Sequence, residues 1–148
     1  MSIDKDNKVS VIIPAYNKAE LTRIAILSVL NQTYNNIEII VIDDGSLDNT
    51  KEIVKNINDS RIKYFYKKNG GACSARNYGI KKSNGKFLAF LDCDDIYFNT
   101  KIEKSINALI NNISYKFLYT EVKYINQKDH IINYSKKFKN HQKSGWIG

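Results

Sequence analysis

Three carboxylates close the stretch Lys86-Phe87-Leu88-Ala89-Phe90-Leu91-Asp92-Cys93-Asp94-Asp95. The residues before them form an apolar run bounded by Gly85, the pattern of a strand buried on both faces. Like charges gathered at a strand exit repel and raise one another's pKa, and a divalent cation relieves that cost. Asp-x-Asp supplies hard oxygen ligands and leaves coordination positions for water and phosphate, which suits Mg²⁺ or Mn²⁺. The competing use of the same residues is a cap, with Asp94 or Asp95 starting a helix that runs through Lys101 to Leu109. Two further polar clusters upstream tip the balance toward a ligand site.

Those clusters also follow apolar runs. Val9 to Ile13 is β-branched and closed by Pro14, and Pro14-Ala15-Tyr16-Asn17 leaves it as a loop; Ile37 to Ile42 ends in Asp43-Asp44-Gly45-Ser46. A ligand carrying a base, a ribose and two phosphates would use such groups. Tyr16 could wall the base, Asp44 or Asp43 could accept its ring N–H, and a cation would meet the phosphates. Each has a plainer use: Tyr16 as a rim tyrosine packed on the sheet, Asp-Gly-Ser as turn chemistry before a helix. Gly70-Gly71-Ala72-Cys73-Ser74-Ala75-Arg76-Asn77 is a glycine-opened helix start whose small residues allow close approach of an anion. Arg76, one turn in, could bind a phosphate or hold the aspartates. This is neither Walker A nor Gly-x-Gly-x-x-Gly, so those nucleotide-binding classes are disfavoured. Cys73 and Cys93 read as small packing residues, and Cys93 points away from a metal if its Asp neighbours point toward it.

The elements that must position these groups follow from periodicity. Helical spacing runs from about Lys18 to Gln32, from Asn49 to Asn58 behind Ser46 or Asp48 as cap, and from Ala72 to Lys82. Strands are expected at Val9–Ile13, Ile37–Ile42, Ile62–Tyr66 and from Phe87. The order β-α-β-α-β-α-β with strongly apolar strands predicts an α/β fold, a mostly parallel sheet with helices on both faces. Ligands gather beyond the carboxyl ends of such strands, and all three polar clusters lie there. After Asp95 an amphipathic helix is expected over Thr100–Asn111. An alternating strand over Tyr115–Ile125, a turn at Asn126–Asp129 and a returning strand at Ile131–Tyr134 complete the expected domain, 9–134. Residues 1–8 are expected to be disordered and the basic tail 135–148 frayed.

A chain of 148 residues with 43% hydrophobic and 26% charged residues has the composition of one soluble domain. No apolar segment is long enough to span a bilayer, and the polar stretch Met1 to Lys8 is not expected to be a signal peptide. Two distant cysteines without ligand spacing read as reduced cytoplasmic thiols. The net charge of +8 comes without a finger or RNP-type motif, so nucleic acid is not expected. A basic surface resting on anionic lipid at the inner membrane face is the better expectation.

Five segments carry a family resemblance: VSVIIPAYN at Val9–Asn17, the run Leu27–Tyr34, IEIIVIDDGSLDNT at Ile37–Thr50, NGGACSARNYGI at Asn69–Ile80 and GKFLAFLDCDD at Gly85–Asp95. In this order they resemble the N-terminal, nucleotide-sugar-binding part of family-2 glycosyltransferases. The resemblance implies a Rossmann-like GT-A fold, truncated at its C-terminus, and a nucleoside-diphosphate-sugar donor, a UDP-sugar favoured. It implies that Pro14, Ala15, Tyr16 and Asp44 contact base and ribose, with Asn17, Asp43 and Cys93 in the same donor site. Asp92 would lie against the ribose or sugar, Arg76 near the diphosphate, and Asp94 would ligate Mn²⁺ or Mg²⁺. Inverting relatives place a carboxylate general base in a downstream acidic motif, and nothing after Asp95 resembles it. The chain alone is therefore expected to bind donor and to transfer sugar to a saccharide or lipid-linked acceptor poorly or not at all. A donor-binding scaffold module is the competing function. A nucleotidyltransferase would need a Gly-rich basic loop after the first strand, where Pro14-Ala15-Tyr16-Asn17 stands.

Overall fold

The computed structural model of the chain describes residues 7–125 and 131–134. The expected disordered start (residues 1–6 of it), the turn Asn126–Asp129 and the tail 135–148 lie outside the described residues. Among the described residues, those up to Ala108 form one compact unit and those from Leu109 a second.

In the first unit, β1 (Val9–Ala15), β2 (Ile37–Asp43), β3 (Ile62–Tyr66) and β4 (Phe87–Phe90) form a wholly parallel sheet in the order β3-β2-β1-β4. Helices α1 (Ala19–Leu30), α2 (Thr50–Lys55) and α3 (Ala72–Lys82) make the crossovers, and α4 (Lys101–Asn111) begins in this unit. The strand alternation sorts the core into two layers. Val9, Val11, Ile13, Ile39 and Val41 pack with Ala25, Ile26 and Val29 of α1, Val54 of α2, and Ile102 and Ile106 of α4. On the opposite face Ile12, Ile40 and Ile42 pack with Ala75 of α3, backed by Phe65 and Tyr78. The layer is tight at Gly79, where a Cβ would stand 2.4 Å from Ile12 Cγ2. Helices on both faces of a parallel sheet are thus observed as expected.

One expectation for the sheet fails. β4 is not buried on both faces: Phe87 and Ala89 pack inward, while Leu88 and Phe90 are 43% and 46% exposed. β4 is an edge strand, and α3 lies over β1 and β2. A helix about 10 Å wide covers roughly two strands spaced about 4.8 Å apart, so the far strand's outer face stays bare. Nor do Asp94 and Asp95 cap α4. Its first turn is held by Gln32, buried, whose Oε1 accepts Ile102 N–H at 2.9 Å while its Nε2 donates to Ser28 O and Phe98 O.

In the second unit the alternating strand expected from Tyr115 is shorter. Residues 115–122 have no regular structure, and β5 (Lys123–Ile125) pairs antiparallel with β6 (Ile131–Tyr134), as the hairpin reading expects. No helix among the described residues is long and apolar enough to cross a membrane.

Candidate functional site

Sheet order fixes where a site can form. The chain moves outward from β1 to β3, then returns through α3 to place β4 on the other side of β1. The crevice between β1 and β4 is therefore the topological switch point, where loops part and leave room for a ligand. The loop after β1 begins at Tyr16, and the acidic run follows β4.

Two cations from different helices hold that run. Lys18, at the start of α1, places Nζ 2.5 Å from Asp94 Oδ2. Arg76 of α3 bonds Asp92 Oδ1 through its guanidinium. Between them Cys93 turns inward and is buried in the core, as alternation requires; burial and the neighbouring Asp94 push its thiol pKa up. The Lys18 bond holds Asp94 below the usual carboxylate range. Asp95, by contrast, is pushed up by burial and by the charges of Asp94 and Asp92. The repulsion expected of the triplet is thus present and falls on the member without a basic partner bonded to it.

The second acidic pair divides its work. Asp43 is buried: Oδ2 accepts the Tyr64 hydroxyl at 2.5 Å and Oδ1 accepts Ser46 N–H at 2.8 Å. It therefore holds the turn together. Asp44 is also buried, and its carboxylate accepts Gly71 N–H at 2.7 Å, Gly70 N–H at 3.1 Å and the Lys67 ammonium. Burial alone would raise its pKa, but these three donors outweigh that and keep it low. Gly71, at φ +85°, lies in the left-handed region that favours glycine, at the turn whose Gly70 and Gly71 amides Asp44 accepts.

The β1 exit is lashed to the same turn. Asn17 lies at φ 49°, in the left-handed region that asparagine tolerates; its N–H donates to Ser46 Oγ at 3.0 Å and its Oδ1 accepts Leu47 N–H at 2.7 Å. Asp48 accepts Ala19 N–H at 3.0 Å, fixing the start of α1, and also binds Thr50 at the start of α2. Ala15 O accepts Asp44 N–H at 2.8 Å. Pro14 and Ala15 are buried, and Tyr16 is exposed on the rim. The sheet thus gathers Tyr16, Asn17, Asp43, Asp44, Arg76, Asp92 and Asp94 along its carboxyl edge. Lys18, Tyr64 and Lys67 join them without having been singled out in the sequence. Their signal was only indirect, since a buried or clustered carboxylate demands a donor.

Among the described residues no group of three or more His, Cys, Asp or Glu side chains converges to cage a metal. Mg²⁺ or Mn²⁺ takes one or two carboxylates and completes its shell with water and phosphate; the Asp94 side chain, 46% exposed at the crevice with the Lys18 ammonium on one oxygen, could supply one.

Known proteins bear on this site. The sequence profile of glycosyl transferase family 2 matches residues 10–145. An uncharacterized glycosyltransferase of Rickettsia bellii is 49% identical over 128 residues, covering 82% of this chain and 19% of its own length. The Escherichia coli UDP-Glc:alpha-D-GlcNAc-diphosphoundecaprenol beta-1,3-glucosyltransferase WfgD is 42% identical over 147 residues, covering 91% of this chain and 56% of its own. The crystal structure of S. aureus TarS 1-349 in complex with UDP-GlcNAc superposes with a TM-score of 0.63 at 34% identity, over 70% of this chain and 31% of that one. The chain thus spans a part of each of these proteins. Its sheet order, its strand-end acids and these likenesses agree: the fold is of the GT-A type, and the chain belongs to glycosyl transferase family 2.

Proposed function

We propose that this chain is the donor-binding part of a glycosyltransferase that moves a sugar from a nucleoside-diphosphate sugar, a UDP-sugar favoured, to a saccharide or lipid-linked acceptor with inversion. The observation that carries the reading is the placement of Tyr16, Arg76, Asp92 and Asp94 around the β1–β4 crevice, with Asp44 at the neighbouring β2 exit. Pro14, Ala15 and Tyr16 form the wall for the base. Asp44 shapes the Gly70–Gly71 backbone beside it, and a base ring N–H reaches its carboxylate by taking the position that Lys67 holds. Arg76 orients Asp92, and together they meet the ribose and the diphosphate. Asp94 would hold Mn²⁺ or Mg²⁺. When bound, that ion supplies Lewis-acid stabilisation of the departing diphosphate.

Two features of the known proteins support the donor and acceptor classes: the TarS structure contains UDP-GlcNAc, and WfgD is named for a diphosphoundecaprenol acceptor. A lipid-linked acceptor and a net charge of +8 together support work in the cytoplasm, at the inner membrane face. Calorimetric titration with UDP, with and without Mn²⁺, tests the reading. Saturable binding strengthened by Mn²⁺ is expected. A flat isotherm with UDP, repeated with GDP, overturns it.

A further inference from the structure

Lys18 is anchored at its base and open at its tip. Its carbonyl accepts both the N–H and the hydroxyl of Thr22, each at 2.8 Å, and the next residue's N–H is fixed by Asp48. Its side chain is 44% exposed and reaches across from the β1 exit to the acidic run after β4, where it meets Asp94. A fixed stem with a solvated, rotatable tip is the arrangement of an arm that can change partners. The pair adds little to the fold: exposed ion pairs of this kind contribute little to stability, and the start of α1 is already fixed by Asp48 and Thr22.

We propose that Lys18 is an internal counter-ion for Asp94, standing where a divalent cation would bind and passing to the donor's diphosphate when the cation arrives. The inference rests on the donor-binding reading above and deepens it. Without nucleotide the ammonium neutralises Asp94 and so limits the repulsion among Asp92, Asp94 and Asp95. A divalent ion approaching Asp94 must displace this positive charge, so metal binds the nucleotide-free chain weakly. A diphosphate brings negative charge that takes the ammonium over, so nucleotide and metal reinforce each other's binding. Reciprocity of that coupling follows from linkage.

The test is titration of the nucleotide-free chain with Mn²⁺, read as loss of the free-ion electron paramagnetic resonance signal, for the wild type, Lys18→Met and Lys18→Arg. Lys18→Met is expected to bind Mn²⁺ about three- to tenfold more tightly, the effect of removing one unit charge a few ångströms away in a largely aqueous setting. The same variant should lose most of the factor by which UDP strengthens Mn²⁺ binding, while Lys18→Arg keeps it. A lesion that merely loosens the site weakens metal binding there, so tighter binding that saturates at one ion per chain points to the counter-ion role. If Lys18→Met aggregates, Lys18→Gln replaces it and carries the same expectation. Mn²⁺ affinity unchanged or weaker in the neutral variant overturns the proposal, and the donor reading survives if the wild type still binds UDP with Mn²⁺. A wild type that binds neither Mn²⁺ nor UDP overturns both.

Discussion

Ser10 and Glu38 stand opposite each other across the parallel β1–β2 pair, with Ser10 Oγ donating to Glu38 Oε1 at 2.5 Å. Both lie on the α3 face at the amino end of the sheet, the end away from the acidic rim. Glu38 is 2% exposed, yet it is satisfied four ways: by Ser10, by Asn84 N–H at 2.6 Å, by Lys63 at 2.8 Å and by Lys8 at 3.3 Å. Ser10 Oγ in turn accepts Gly85 N–H at 2.8 Å. The pair therefore fastens the turn between α3 and β4, which decides where β4 and its aspartates emerge.

Burial would raise the Glu38 pKa, but its bonds from Lys63, Ser10, Asn84 and Lys8 bring it down to about 2 from an ordinary 4.5. A folded-state pKa below the unfolded one contributes stability that is complete above the unfolded value. It drains away as pH falls toward the folded value. Here the window is about pH 4.5 to 2, and the contribution is on the order of 3 kcal/mol. Glu38→Gln should lower stability by about 2–4 kcal/mol at pH 7, because an amide turns donors toward donors and leaves Lys63 without its anion. Urea unfolding from pH 7 down to pH 3 checks this. The gap between wild type and variant should narrow on acidification, and a constant gap would refute the charge as its cause.

Gly79 tests the packing of α3 on the sheet. A methyl there would meet Ile12 Cγ2 at 2.4 Å and Ile42 Cγ1 at 3.3 Å. Ile12 is fully buried in the middle of β1, so it has little room to yield. The higher helix propensity of alanine offers about 1 kcal/mol in return, while overpacking costs about 1–3 kcal/mol. Gly79→Ala should therefore destabilise the chain by up to about 2 kcal/mol, measured by chemical denaturation. A stabilised variant would mean that α3 can shift outward without penalty.

Much of this architecture was legible because it rests on local pattern. Val9–Ile13 and Ile37–Ile42 are apolar at consecutive positions, as a strand covered on both faces must be, and Gly70-Gly71 marks the start of α3 where the chain turns. The acids after β2 and β4 were legible as a rim because crossovers in a parallel sheet put all carboxyl ends together. What could not be read was partner choice. Tyr64 takes Asp43, Lys67 takes Asp44 and Lys18 takes Asp94 over separations of 21, 23 and 76 residues, and no local period encodes such pairings. The exposure of Leu88 and Phe90 was hidden for a related reason. Their apolar run is indistinguishable from that of a central strand, and only strand order reveals an edge. Residues 115–122 alternate well, yet alternation needs a neighbouring strand to pair with before it becomes a strand.

Asp44 should matter to binding and to folding at once. Its carboxylate organises Gly70, Gly71 and Lys67, so Asp44→Asn replaces an anion facing two amides and an ammonium with a group that can satisfy fewer of them. A loss of about 1–3 kcal/mol in stability is expected, together with UDP affinity reduced at least about tenfold. Thermal unfolding and calorimetry on the same preparation separate the two effects. Full UDP affinity in a destabilised Asp44→Asn would show that Asp44 serves the fold alone.

Asp94 should behave in the opposite way. Its side chain is half exposed and its ion pair with Lys18 lies in solvent, so Asp94→Ala should change stability by no more than about 1 kcal/mol. Binding is another matter. Ligands that bind the native state raise its melting temperature in proportion to the logarithm of ligand concentration over Kd. With Mn²⁺ present, UDP should therefore raise the wild-type melting temperature more than UDP alone does. Asp94→Ala should retain the shift given by UDP alone and lose the extra increment. Asp92→Ala provides the contrast, because it releases Arg76 as well and should weaken UDP binding whether or not metal is present. If Mn²⁺ still enhances the UDP shift in Asp94→Ala, the cation is held elsewhere on the rim, and the assignment of Asp94 as its ligand is wrong.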